Sequence, residues 1–361
     1  MTHLQKMKAR MISHARRYPQ LTLRDLFKYL HQSALGCEHL IASPEAVLGY
    51  IREEASRLPP NSARATVEPL SGNYSRLHLH CLQRGLAPET LAKLFFLSAV
   101  HEQEGEARLD ELLTLAREAI AEGALPFSLA KFDAAAQEWR AAGYPAMRHS
   151  EVFREEYFPA YRVIANRFVP FLPLLEKIDR ELASGDAPLT LAIEGGSASG
   201  KSTLAELLQT IYGCPLFHMD DFFLRPAQRT EARLAEAGGN VDRERFLSEV
   251  LEPLAQGKSV CYRPFDCMTG ELAAPVSVTP TRLRVIEGVY SMHPDLAEHY
   301  DLSVFLAISP ALQHERIKQR NSPQMAERFF TEWIPLEVRY FEVCKTSERC
   351  TLVIPIDKKY F

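Results

Sequence analysis

The chain has 361 residues, 46% of them hydrophobic and 24% charged, with a formal net charge of -4. That is the make-up of an ordinary globular protein, long enough for two domains with separate cores. No basic cluster offers a nucleic-acid surface, and no apolar run reaches membrane-spanning length, so neither a nucleic acid nor a membrane is expected as a partner.

Residues 1–24 carry six Lys or Arg and no acid. They lack the apolar core of a secretory signal and are too poor in serine for a mitochondrial leader, so they read as a basic first helix. Apolar residues then recur at helical spacing over 21–35, 45–58, 88–100, 108–120 and 129–142, with Gly36, Gly85, Gly105, Gly123 and Gly143 as breaks. Residues 77–82 alternate and fit either a short strand or a helix start. Residues 1–150 are therefore predicted to form a mainly helical domain, and they hold no recognisable catalytic motif. His31, Cys37 and His39, and likewise His78, His80 and Cys81, match no standard zinc spacing and read as helix-face or surface groups. Residues 101–104 read as a solvated turn. The seven cysteines never form C-x-x-C, which fits a reduced, cytoplasmic setting.

From 150 to 186 aromatics, arginines and prolines mix. The stretch reads as helical segments forming a seam between the halves, and the second domain is taken as 151–361 with its core from 186. There Leu189, Leu191 and Ile193 mark a buried strand. Gly195, Gly196, Ser197, Ala198, Ser199, Gly200, Lys201 and Ser202 follow, fitting the phosphate-loop pattern G-x-x-x-x-G-K-[ST] at every position. Thr203 begins an amphipathic helix ending at Gly213. A strand, a glycine loop and a helix N-terminus in that order aim backbone N–H groups at one point, which suits a nucleotide triphosphate. Lys201 is expected to reach the β/γ-phosphates and Ser202 to ligate Mg²⁺.

Further strands are expected at 215–219, 259–262, 283–286, 302–308 and 352–356, with a helix over 242–254. Another helix begins at Pro310, capped by Ser309. Strands alternating with helices predict a parallel sheet covered on both faces. Phosphoryl transfer needs a base, Mg²⁺ ligands and cations besides the cradle. Candidates fall at strand ends: Asp220 as base, Asp221 beside it to hold Mg²⁺ through water or to cap the next segment, and Glu287 as a carboxylate for the metal. Arg316 and Arg320 are spaced to share one helix face over the phosphates.

These motifs together resemble the phosphoribulokinase/uridine kinase family of P-loop kinases. Asp220-Asp221-Phe222 looks like its D-x-F acceptor motif, and Val285-Ile286-Glu287-Gly288 like its V-x-E-G strand end. Tyr262 to Asp266, with Phe265 between them, looks like its Y-x-P-x-D substrate segment, and 313–320 like its arginine lid. The resemblance covers about 186–361. It implies a nucleotide-kinase-type, five-stranded parallel sheet, ATP with Mg²⁺, and a small-molecule hydroxyl acceptor. It makes Asp220 the general base and places Ser202, Asp220 and Glu287 around the metal. One departure stands out: Gly270 falls where uridine kinases carry a base-reading histidine, and His293 is the candidate substitute. Kinases of pantothenate-like or glycerate-like acceptors, and a non-kinase ATPase or switch, are the alternative readings. The guanine motif N-K-x-D and the transporter signature L-S-G-G-Q are both absent. A homo-oligomer is left open.

Overall fold

The computed structural model describes residues 2–37, 43–58, 66–99 and 105–357. His39 and residues 101–104, discussed above, lie outside the described residues. The chain divides into two compact units, Met1–Asp179 and Arg180–Phe361.

The first unit contains helices α1 (His3–Arg17), α2 (Leu23–Leu35), α3 (Pro44–Ala55), α4 (Pro88–Leu97), α5 (Gly105–Ala121), α6 (Leu129–Ala141) and α7 (Glu151–Tyr157), and the first part of α8 (Leu172–Ser184). It also holds an antiparallel sheet that helical periodicity did not foretell. In it β1 (Val67–Pro69), β2 (Tyr74–His78) and β3 (Tyr161–Ala165) lie in that order. The ambiguous stretch at 77–82 is both things, since β2 ends at His78 and a 3-10 turn runs from Leu79 to Arg84. The strand β3 corrects the boundary expected at 150/151. It pairs with β2 in the register Tyr74↔Ala165, so residues 151–179 belong to the first unit. Asp179 confirms the assignment, accepting from Ala87 N–H (2.7 Å) and Thr90 Oγ1 (3.0 Å) at the start of α4.

All five residues of β2 are buried, so its polar side chains needed partners inside. Arg76 lies opposite Glu68 in the β1–β2 register, with Nη1 3.6 Å from Glu68 Oε1. The Glu68 carboxylate also takes His14 Nδ1 (2.7 Å) and Tyr18 Oη (2.9 Å). Nearby, Asp25 caps its own helix α2, receives Ser150 N–H (3.0 Å) and contacts His149 Nδ1 (2.9 Å).

The second unit is built on a five-stranded sheet among the described residues: β4 (Leu189–Gly195), β5 (Leu216–His218), β10 (Leu283–Glu287), β11 (Leu302–Ile308) and β12 (Leu352–Ile356). Spatial order is β12-β11-β4-β10-β5, every pairing parallel. This is the expected nucleotide-kinase-type α/β sheet. Between β5 and β10 lie α10 (Glu231–Leu234), α11 (Arg243–Phe246), α12 (Glu252–Ala255), β6 (Val260–Tyr262), β7 (Phe265–Asp266), β8 (Glu271–Leu272) and β9 (Val276–Val278). The expected strand at 259–262 is present, but it pairs antiparallel with β9, outside the main sheet.

Helix α9 (Lys201–Tyr212) buries Leu204, Ala205, Leu208 and Ile211 on one face. Each of its larger apolar side chains contributes roughly 1.5–3 kcal/mol of burial, which seats the helix that carries the phosphate loop. Helices α13 (Pro310–Arg320), α14 (Pro323–Arg328), α15 (Ile334–Cys344) and α16 (Thr346–Arg349) connect β11 to β12. Ser309 caps α13 as expected, its hydroxyl accepting from Leu312 N–H at 3.3 Å. No helix among the described residues is long and apolar enough to cross a membrane.

Candidate active site

Three neighbouring strands, β4, β10 and β5, end side by side, and each delivers one part of the site. Open parallel sheets take ligands at such carboxyl ends. The loop after β4 turns through Gly195 (φ +147°), Ala198 (φ +59°) and Gly200 (φ +99°) into α9. Gly195 is required by space as well as angle, because a Cβ there would lie 2.7 Å from the Leu306 carbonyl oxygen. Lys201 Nζ donates to Gly196 O (3.1 Å) and forms no ion pair among the described residues. Ser199 Oγ is buried without a hydrogen-bond partner there. A lysine without an ion pair and an orphaned hydroxyl in a glycine-lined loop fit a polyphosphate. Thr203 is exposed on the first turn of α9.

Glu287 ends β10, paired with Ile193 on one side and His218 on the other. Its Oε1 accepts from Ser202 Oγ (3.3 Å) and lies 2.7 Å from His218 Nδ1. That contact with Glu287 raises the His218 pKa, against the opposing effect of burial. A hydroxyl and a carboxylate side by side fit Mg²⁺, a hard cation that takes oxygen ligands. Gly288 follows with φ +146°, and a Cβ there would come within 2.5 Å of Met219 Cβ. Only glycine lets this strand end approach the turn that carries Asp220.

That turn, Met219–Phe222, is a 3-10 helix burying Met219 and Phe222. Phe222 packs on Tyr262 and Phe246, with ring centroids 5.2 and 4.9 Å away, and the Arg245 guanidinium lies over it at 4.2 Å. Anchored so, the turn leaves its two aspartates in different settings. Asp221 Oδ2 accepts from Tyr262 Oη at 3.0 Å, joining two residues that the sequence assigned to the substrate side. Asp220 makes no hydrogen bond among the described residues. Its side chain is exposed by area, yet the surrounding protein desolvates its carboxyl, and this raises its pKa. Glu287 and Asp221 act in the same direction, while Lys201 and His218 oppose.

The remaining candidates divide. Arg316 reaches the phosphate loop, its Nη1 donating to Ala198 O (3.1 Å). Arg320 is exposed one turn further on. Phe265 is buried beside the Arg229 guanidinium, 5.8 Å from its ring centroid. Asp266 accepts from Met268 N–H (2.8 Å) and so braces its own hairpin. His293 is buried, stacked 6.4 Å from the Tyr340 ring, with its Nδ1 accepting from Asp295 N–H (3.2 Å). Burial lowers its pKa, and it makes no hydrogen bond to Asp220, Asp221 or Tyr262 among the described residues.

Residues 190–328 match the model of the Phosphoribulokinase / Uridine kinase family. The phosphoribulokinase of Synechocystis sp. is 27% identical over 154 residues, 40% of this chain and 45% of that protein. A bifunctional alpha-galactosidase/sucrose kinase of Mediterraneibacter gnavus is 30% identical over 216 residues, 53% of this chain and 23% of that protein. The matches thus span less than half the length of these two relatives. The solved structure of a possible uridine kinase from Bacillus stearothermophilus aligns over 50% of this chain and 99% of its own, at 22% identity and a TM-score of 0.39. The phosphoribulokinase/uridine kinase match takes in the phosphate loop, Asp220, Tyr262, Glu287, Arg316 and Arg320. It stops short of α15 and excludes the whole of the first unit.

Sequence reading missed four residues at this site. His218 was taken only as part of a strand. Gln313, whose Nε2 donates to Ser197 O (3.0 Å), was noted only as a member of its helix. Glu194 was given no role between the strand and the loop, yet it is wholly buried and accepts from Gly195 N–H (2.9 Å), Met292 N–H (3.0 Å) and Tyr340 Oη (3.1 Å). Burial pushes its carboxyl up to about 7, against those donors. Glu337 lies outside any motif, on a helix 140 residues beyond the Ser197 that it touches. An acid just before the phosphate-loop glycine was the one visible signal; the others depend on the folded path.

Proposed function

We propose that this protein is a kinase that moves the terminal phosphoryl group of ATP to a hydroxyl of a small molecule. The observation that carries the reading is the convergence of Lys201, the Ser202–Glu287 pair and Asp220 at three adjacent strand ends. In this reading the loop from Gly195 to Thr203 holds the phosphates, and Ser202 and Glu287 hold Mg²⁺ with Asp220 at its edge. The metal would shield phosphate charge, while Lys201, Arg316 and Arg320 would face the charge of the transferring group. Asp220 is the base that takes the acceptor proton. Its raised pKa and lack of a hydrogen-bond partner support that role, because a carboxylate already neutralised by donors is a weak base.

The acceptor would lie on the side of Asp221, Tyr262, Phe265 and Asp266. A nucleoside such as uridine is the first candidate, from the family match. The two relatives are named for a phosphosugar-type and a sugar acceptor, so the class extends beyond nucleosides. His293 is a poor substitute for the missing base-reading histidine, given its burial against Tyr340. The test is a screen of nucleosides, sugars and sugar phosphates with ATP and Mg²⁺, read by mass spectrometry. A phosphorylated product formed by the wild type and not by Asp220→Asn supports the reading. Acceptor-independent ATP hydrolysis without a phosphorylated product refutes it.

A further inference from the structure

Helix α15 is fastened to the phosphate loop at two points. Glu337 Oε2 accepts from Ser197 N–H at 2.9 Å, and its Oε1 takes the Ser197 hydroxyl. One turn on, Tyr340 donates to Glu194, which itself receives the Gly195 N–H. The loop presses against the helix between these points: a Cβ on Gly196 would lie 3.3 Å from Glu337 Oε2. Glu337 is 4% exposed and has no basic partner within ion-pair distance among the described residues. Its carboxylate thus rests on the N–H and O–H donors of a loop whose donors suit a polyanion.

A carboxylate and a phosphate oxygen cannot share those donors, because two like charges in one shielded cleft repel strongly. We infer that Glu337 is an internal competitor for the polyphosphate, holding Ser197 until the incoming nucleotide displaces it and thereby lowering nucleotide affinity. Burial raises the Glu337 pKa and the Ser197 donors oppose it; of the charged groups facing this carboxylate, Lys201 favours its ionised form and Asp220 disfavours it. The Tyr290 hydroxyl also feels its charge. The inference rests on the phosphate-loop reading, and it adds to the site a residue of α15, beyond the matched segment.

The test is Mg·ATP affinity by calorimetry for the full chain as wild type, E337Q and Lys201→Ala. Glutamine keeps the size and one acceptor but removes the charge. The expected result is roughly tenfold tighter binding to E337Q, the size of a typical coupling between competing groups. Unchanged or weaker binding to E337Q, with wild type binding and Lys201→Ala not, overturns the inference alone and makes Glu337 a prop for the loop. Wild type that fails to bind, or that binds no better than Lys201→Ala, overturns the phosphate-loop reading instead. Should E337Q fail to melt cooperatively, E337M carries the same comparison, since methionine fills the space and leaves the Ser197 donors open.

Discussion

Tyr262 donates its hydroxyl proton to Asp221 across 3.0 Å, while Asp220, one residue earlier, is left without a hydrogen bond among the described residues. Two adjacent carboxylates are thereby given different chemistry. Asp221 is tied to Tyr262, and Asp220 keeps both carboxylate oxygens unengaged, as the proposed base requires. Asp220→Asn is expected to lower kcat by ~10²–10⁴, the range for losing a general base, with ATP affinity little changed. Asp221→Asn keeps an acceptor for Tyr262 and should act mildly or through Mg²⁺ dependence. Paired kinetics across a Mg²⁺ titration would check this. If Asp221→Asn loses the chemistry and Asp220→Asn does not, the base is Asp221.

Lys201→Ala should abolish turnover and weaken ATP binding without altering the melt. Lys201 forms no ion pair among the described residues, and its Nζ donates only to the Gly196 carbonyl there, so its removal breaks no salt bridge. A variant that keeps most of its activity would remove the lysine from the phosphate cradle.

Gly288→Ala tests how Glu287 and Asp220 are held together. The added methyl meets Met219 Cβ at 2.5 Å, in a backbone conformation that L side chains avoid. A loss of ~1–3 kcal/mol in stability is expected from the strain, with a larger fall in kcat than in ATP affinity as the Asp220 turn shifts. A normal melt with normal kcat would mean that the close approach is not needed.

The buried polar network of the first unit should make that unit acid-sensitive. Burial drives His14 and His149 down to about 4. Unfolded histidine titrates near ~6.5, so between that value and 4 the unfolded chain binds the extra proton and stability falls as pH drops. The full shift corresponds to at most about 3 kcal/mol per histidine. For Glu68 and Asp25 the donors around them outweigh burial and hold both carboxyls well below the usual range. Their contribution is present above the unfolded carboxylate pKa and is lost below it as pH falls through the depressed folded pKa, in the same direction. Urea unfolding of a Trp333→Phe variant, followed by Trp139 in the first unit, should show stability declining from pH 7 to pH 4. A flat or rising profile would contradict the neutral, buried state of these histidines.

The phosphate loop, Asp220 and Glu287 were legible because each sits in a short contiguous motif next to an apolar strand. The parallel sheet was legible for the same reason: residues 189–193 and 302–308 read as buried strands by composition alone, and the strands are Leu189–Gly195 and Leu302–Ile308. The antiparallel sheet of the first unit was not. Its β2 carries Arg76 and His78 on buried positions, and β3 carries Tyr161 and Arg162, so neither shows the apolar alternation expected of a strand. The burial of Arg76 is made tolerable by Glu68 on the neighbouring strand and by Gln32, which lies far along the chain on α2. Glu337 was hidden likewise, because its meaning comes only from Ser197. His293 misled because a histidine near a strand end looks available until Tyr340 and Gly238 are seen to enclose it.

The account stands or falls on acceptor-dependent transfer. The decisive measurement is the wild-type protein with ATP, Mg²⁺ and the panel of hydroxyl acceptors, followed simultaneously for ADP and for phosphorylated product. The account predicts ADP and product forming together with at least one acceptor, and neither forming with Lys201→Ala. ADP formed at the same rate with and without every acceptor, with no phosphorylated product, would contradict it and make the chain an ATPase.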